Sequence, residues 1–350
     1  MKSLTPNYLN DLSFSTEQLS TLRALGEYRG KQALYAQQTP ETLKSLRTIA
    51  VIESVESSNR IEGVTAPRAR LQAVVLKTSQ PVGRSEQEIA GYRDALELIH
   101  NSAEHMPFSA NIIKQTHNLL YRYLPQDGGT YKATQNDIVE REPDGTISRV
   151  RFRPSSPVET PQQMDTLVSL HGDAINHLNL EPLVVIPLTI LDFLCIHPFP
   201  DGNGRTARLL TLLLLYHFDY QVGRYISLER FFEQSKASYY ETLETSSQGW
   251  HDDQHDPYPW MTYFWGVLLA AYREFEERVG EVRGDHGSKT DMVRAAVKRR
   301  LVPFAISDIE RELPTISRDM IRVVLRQLRD EGVIESVGKG RGAKWKHIDA

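Results

Sequence analysis

Residues 209–215 hold six leucines, Leu209, Leu210, Leu212, Leu213, Leu214 and Leu215, on a stretch that reads as a helix over 204–218. A helix apolar nearly all round belongs at the centre of a domain, not on its surface. Just before it stands His197-Pro198-Phe199-Pro200-Asp201-Gly202-Asn203-Gly204-Arg205-Thr206-Ala207-Arg208, so a polar segment is mounted on a rigid, buried post. Gly202-Asn203-Gly204 frees backbone N–H groups to face an anion, and the positive N-terminal end of the helix favours the same ligand. Arg205 and Arg208 are three apart and share a face, which lets both reach one polyphosphate. Asp201 has two readings, a cap for the helix or a carboxylate holding a divalent cation against the phosphates. His197 can accept a proton as a neutral imidazole. Phosphate is therefore the first ligand to consider, with Phe199 as the apolar anchor of the loop.

The 350 residues are 40% hydrophobic and 25% charged, which suits a soluble protein of two or three domains. The opening Met1 to Tyr8 lacks an apolar leader. The richest run, Leu183 to Ile196, is interrupted by Pro187 and Asp192 and too short for a bilayer, so neither secretion nor membrane insertion is expected. The single cysteine, Cys195, excludes an internal disulfide framework and reads as a core residue of a cytoplasmic protein.

Helical spacing of apolar residues recurs over 16–37, 41–60, 84–103, 109–123, 160–178, 183–196, 234–247 and 257–279. The fold class is mainly α. One exception lies between Gly128 and Pro157, where Asn136 to Val139 and Val150 to Phe152 flank the turn former Pro143-Asp144-Gly145 and predict a β-hairpin. Residues 281–289, rich in glycine, read as a linker. Beyond it, 292–301, 306–312 and 317–331 suit helices. Val333 to Val337, the basic loop Gly338 to Gly342, and Lys344 to Lys346 follow in an order that resembles a winged helix-turn-helix over 290–350. The formal charge of the whole chain is −4, which does not mark it as a nucleic-acid binder. From Ser288 onward, however, 14 Lys and Arg face 9 Asp and Glu. Arg318, Arg322, Arg326 and Arg329 form a stripe that is either a solvated face or a surface for DNA phosphates or a partner protein.

The segment His197 to Arg208 resembles the Fic family signature His-x-Phe-x-Asp/Glu-Gly-Asn-Gly-Arg-x-x-Arg at every fixed position. The resemblance implies a helical Fic-fold domain over 101–280, preceded by an N-terminal helical region over 1–100. It also implies a protein adenylyltransferase that moves AMP from ATP to Ser, Thr or Tyr hydroxyls of a target protein. In that reading His197 is the base, Asp201 coordinates Mg²⁺, and Gly202, Asn203, Gly204, Arg205 and Arg208 hold the phosphates. Tyr239 and Tyr240 then stand beside the adenine, with Ser247 where the family often has Asn. The hairpin becomes a flap on which Gln135, Asn136, Asp137, Ile138 and Val139 dock the target backbone by strand addition.

Ser58-Asn59-Arg60-Ile61-Glu62-Gly63 fits a second family pattern, the inhibitory helix, here over about 41–63. Taken alone it is also how an ordinary helix ends, since Ser58 and Glu62 share a face and Gly63 suits a C-terminal cap. The resemblance implies that Glu62 pairs with Arg208 and keeps it from the γ-phosphate. Gly202-x-Gly204-x-x-Ala207 also meets a dinucleotide fingerprint, but no alternation of strands and helices surrounds it as that fold requires. Three alternatives to adenylyl transfer stay open: a DNA-binding regulator with a nucleotide-sensing pocket, transfer of another phosphate-containing group, or removal of AMP. A homodimer is also left open.

Overall fold

The computed structural model describes residues 3–36, 40–142, 144–284, 289–298, 300, 303–313, 316–338 and 344–348. Contacts divide the chain into two compact units, Met1–Ala33 with Ala50–Tyr272, and Leu34–Ile49 with Arg273–Ala350. Residues 50–100 and 101–272 thus share one unit. Among the described residues no helix is long and apolar enough to cross a membrane.

The polar segment of the first unit hangs between two buried helices. The first runs over Pro182–Ile196 with every residue buried but Pro182 and Leu194. The second runs over Asn203–His217 with every residue buried but Gly204 and His217. Each leucine so buried contributes about 2 kcal/mol of transfer free energy. In chain order these are α8 and α9. Before them come α1 Pro6–Asn10, α2 Thr16–Ala36, α3 Pro40–Ile61, α4 Arg68–Val75, α5 Gly83–Ser102, α6 Ala110–Leu120 and α7 Thr160–Asn176. After them come α10 Leu228–Gln234, α11 Lys236–Ser247 and α12 Tyr258–Gly284. The short helices α1, α4 and α10 escape the sequence pattern, being too brief to show a period.

Helices α5 and α6 pack on α9, while α7 and α11 pack on α8. Pro187 sits inside α8 and cannot donate to the carbonyl one turn back. The indole Nε1 of Trp265 donates to that carbonyl, Leu183 O, at 2.7 Å, and Trp260 Nε1 donates to Pro187 O at 2.8 Å. The imino acid is therefore tolerated because tryptophans of α12 satisfy the backbone it disturbs.

The hairpin forms, shifted by two residues. Strand β1 covers Ile138–Arg141 and pairs antiparallel with β2, Ile147–Phe152, joining Val139 to Val150 and Glu140 to Arg149. Gln135, Asn136 and Asp137 precede the strand and do not belong to it. In the turn, Gly145 N donates to Glu142 O at 2.8 Å and Thr146 N to Asp144 Oδ1 at 2.9 Å; Pro143 lies outside the described residues.

The second unit contains α13 Lys289–Lys298, α14 Ile306–Glu312, α15 Arg318–Asp330 and an antiparallel pair, β3 Ile334–Val337 and β4 Lys344–His347. Val293, Val297, Phe304, Ile309, Ile321, Leu325 and Ile334 are among the side chains of its core. The order of three helices and a hairpin matches the sequence expectation. Residues 339–343, most of the basic loop, lie outside the described residues, as do 285–288 of the supposed linker. Helix α12 itself continues to Gly284. Of the four stripe arginines, Arg318 pairs with Glu310, Arg322 with Asp319 and Arg329 with Asp330, so much of the stripe's charge is met within the unit.

Candidate active site

A cavity of about 590 Å³ opens at the end of the α8–α9 post. Its walls include His197, Asp201, Gly202, Asn203, Gly204 and Arg208, with Glu62 from the turn after α3, Tyr239 and Tyr240 from α11, and Ile138, Val139 and Glu140 from β1.

His197 ends α8 in the left-handed conformation, φ 50° and ψ 60°. A non-glycine residue there is strained and needs surrounding structure to hold it. That structure is present. Lys132, buried, donates through Nζ to Ile196 O at 3.0 Å and to Asn136 Oδ1 at 2.8 Å. Asn136 Nδ2 in turn donates to His197 O at 3.1 Å and Phe199 O at 2.8 Å. The imidazole Nδ1 lies 3.1 Å from Leu194 O. A carbonyl only accepts, so Nδ1 carries the proton and Nε2 keeps its lone pair. Burial drives the pKa of His197 down to about 4, and the Lys132 ammonium adds to that, so the ring is neutral near pH 7.

Asp201 does not cap α9. Its Oδ1 accepts from Gly202 N at 2.7 Å and its Oδ2 from the Tyr121 hydroxyl at 3.2 Å, while the side chain stays 67% exposed. His117 fixes the backbone of the same residue. Its Nδ1 accepts from Gly129 N at 2.8 Å, which leaves Nε2–H to donate to Asp201 O at 2.9 Å, and the ring stacks on Phe199 at 3.8 Å. Among the described residues no group of three or more His, Cys, Asp or Glu could enclose a metal ion. A lone exposed carboxylate still suits Mg²⁺, which keeps several waters and takes the rest of its oxygens from phosphates.

Two expected phosphate ligands point elsewhere. Arg205 is 3% exposed and donates through Nη1 to Glu88 of α5 at 2.6 Å, and it does not line the cavity. Asn203 spends its side chain on Phe199, whose N donates to Oδ1 at 2.9 Å and whose O accepts from Nδ2 at 2.7 Å. What these residues offer an anion is backbone. The first helical bond of α9 is Thr206 N to Gly202 O at 2.9 Å, so the N–H groups of Asn203, Gly204 and Arg205 precede it without a helical acceptor.

Arg208 faces the cavity, 2% exposed. Its Nε donates to Ser58 Oγ at 2.8 Å, and its Nη2 to Ser58 O at 3.0 Å and Glu62 Oε1 at 2.8 Å. Buried Nη1 has no hydrogen-bond partner among the described residues. Burial works against the charge, but Glu62, then Tyr239 and Tyr92, hold the guanidinium pKa above its usual range. The turn carrying Glu62 is a Schellman cap: Val64 N donates to Asn59 O at 2.9 Å, Gly63 N to Arg60 O at 3.0 Å, and Gly63 has φ 79°. Glu62 then lies against the first turn of α9, where a Cβ on Gly204 would meet Glu62 Oε1 at 2.4 Å. Only glycine permits that approach.

Residues 107–215 match the Fic/DOC family model. The chain carries a Fic domain. It is 28% identical over 210 residues to the protein adenylyltransferase Fic of Nematostella vectensis, covering 57% of this chain and 44% of that protein. It is also 26% identical over 196 residues to protein adenylyltransferase fic-1 of Caenorhabditis elegans, covering 54% of this chain and 35% of that one. The chain thus spans less than half the length of these relatives. Among solved structures, a Fic family protein from Desulfovibrio desulfuricans G20 superposes with a TM-score of 0.60 at 22% identity, covering 97% of this chain and 98% of that one. Fic-1 of C. elegans, residues 134–508, gives 0.57 at 21% identity, covering 75% and 72%. These structures share the mainly helical fold.

Beyond the matched residues, Tyr239 is largely a core aromatic, 3% exposed and packed with Phe232 and Trp260, while Tyr240 is more open. Both line the cavity, as does Ser247. The hairpin is tied to α11 by Arg149, which reaches Glu244 Oε1 at 2.5 Å and Glu140 at 3.2 Å. Of the expected docking residues, Ile138 and Val139 lie in β1. Gln135 donates to Pro154 O at 3.0 Å, Asn136 braces His197, and Asp137 lies 3.4 Å from Arg153. His117, Tyr121, Lys132 and Glu88 escaped the sequence reading because each is a single polar residue with no local motif to single it out.

Proposed function

We propose that the Fic domain transfers AMP from ATP to a hydroxyl of a target protein, and that Glu62 holds it idle. The observation that carries this reading is one cavity holding a neutral imidazole with its proton on Nδ1, a helix N-terminus and a buried guanidinium already gripping a carboxylate. The names of the curated relatives support it.

In the reaction the attacking hydroxyl oxygen forms a bond to the α-phosphorus as its proton passes to His197 Nε2. The bond from that phosphorus to the oxygen bridging to the β-phosphorus breaks, and pyrophosphate leaves with the electron pair. The α9 N–H groups hold phosphate oxygens without reorganising, because the Asn203–Phe199 bonds and the Arg205–Glu88 pair fix the helix start. Arg208 orients the terminal phosphate. Mg²⁺, held through Asp201, would neutralise phosphate charge and steady the leaving group. Ile138 to Glu140 offer a strand edge for the target backbone.

With Glu62 on Arg208 and against Gly204, a carboxylate stands where the phosphates belong, and ATP binds badly for in-line attack. The test is incubation of the full chain, carrying Glu62→Gly, with Mg²⁺ and ATP labelled at either the α- or the γ-phosphorus. Protein-bound label from α-labelled ATP alone supports AMP transfer, whereas label from the γ-position alone identifies a phosphotransferase and defeats the proposal.

A further inference from the structure

Lys236 opens α11 and lines the same cavity as His197 and Arg208. Its Nζ donates to Ile61 O at 2.7 Å, at the C-terminal end of α3. Among the described residues no carboxylate pairs with it. It stands over the ring of Tyr240, whose centroid lies 5.8 Å away. An exposed ammonium without a counter-ion, resting on a helix C-terminus inside a cavity built for an anion, is available to exchange that carbonyl for a stronger acceptor.

Ile61 and Glu62 are consecutive, their Cα atoms about 3.8 Å apart. Lys236 grips the carbonyl of one, and Arg208 the carboxylate of the next. The two cations therefore flank a single turn of chain, and a triphosphate entering in place of that turn meets both. No acidic residue occupies the first turn of α11, so its positive end adds to the same field.

We propose that Lys236 has two alternating partners. In the closed site it latches the turn that carries Glu62, and with that turn displaced it binds the terminal phosphates of the nucleotide beside Arg208. The inference rests on the nucleotide reading above and assigns that site a ligand outside its signature segment.

The phosphate role is read by calorimetry of the full chain with ATP, and separately with AMP, both with Mg²⁺, comparing Glu62→Gly with Glu62→Gly/Lys236→Met. Loss of one charge-assisted bond lowers ATP affinity by about tenfold or more and leaves AMP unaffected. Equal weakening of both nucleotides, or of neither, overturns the phosphate role. The latch is read by hydrogen exchange of the Gly63 and Val64 amides without nucleotide, where Lys236→Met on the wild-type chain speeds exchange and Lys236→Arg restores it. Unchanged exchange overturns the latch. Should Glu62→Gly bind ATP no better than the wild type, it is the brake that falls, and the ATP-to-AMP comparison still decides Lys236.

Discussion

Glu62 Oε1 lies 2.8 Å from Arg208 Nη2, joining a 31% exposed carboxylate to a 2% exposed guanidinium across 146 residues of chain. A guanidinium that deep cannot be left alone cheaply; stripping one partner from a buried pair costs on the order of 3 kcal/mol. In the function proposed above, the pair stays closed until a phosphate replaces the carboxylate.

Ser58 shares the load on Arg208 through its hydroxyl and its carbonyl. Ser58→Ala removes only the hydroxyl bond, worth about 1.5 kcal/mol or more to a charged donor. It should raise the rate of protein labelling by ATP roughly tenfold, less than Glu62→Gly does. A rate equal to that of the wild type would mean that the closed state owes nothing to this bond.

Lys132 and Asn136 act on His197 through the backbone, holding the left-handed residue at the end of α8. Asn136→Ala should lower kcat about tenfold or more, in line with the sensitivity of catalysis to small misplacements, while KM for ATP stays near that of its parent. Measured in the Glu62→Gly background, a rise in KM with unchanged kcat would instead return Asn136 to target or nucleotide binding.

Arg205 and Glu88 form a pair 3% and 8% exposed. Glu88→Ala leaves the buried guanidinium only the exposed Asp201 at 3.8 Å and should cost about 3 kcal/mol of stability by urea unfolding. A loss below about 1 kcal/mol, the scale of an exposed pair, would contradict the anchoring role.

Much of this was legible in advance. The leucines after Arg208 required a buried helix, and the glycines before it marked the tight loop that enters it. The partner of Arg205 was not legible, whereas the pairing of Arg208 with Glu62 followed from the family resemblance. A spacing of three residues leaves them about 60° apart on the helix, enough to turn one toward α5 and the other toward the end of α3. Only the packed neighbours, Glu88 and Ser58, distinguish them, and these lie 117 and 150 residues away. Asn136 misled for a similar reason. Its place beside the turn former suggested a strand, but its amide had two loop carbonyls to satisfy, and β1 starts beyond it.

The buried histidines set the response to acid. Burial holds His117, His171, His197 and His255 near a pKa of about 4. In the unfolded chain they titrate near ~6.5. Below that value the unfolded state binds more protons, so stability falls as pH drops from about 6.5 toward 4. Asp192, raised to about 6 by burial, works the other way, gaining stability as pH falls through that value, but it is one group against four. Urea unfolding should show lower stability at pH 4.5 than at 7.5; equal stability would contradict these assignments.

The most direct measurement is incubation of a cell lysate with α-labelled ATP and Mg²⁺, adding the wild-type chain, Glu62→Gly, or Glu62→Gly/His197→Ala. The account predicts weak labelling of protein by the first, strong labelling by the second and none above background by the third. Strong labelling by the wild type, or labelling that survives loss of His197, would contradict it.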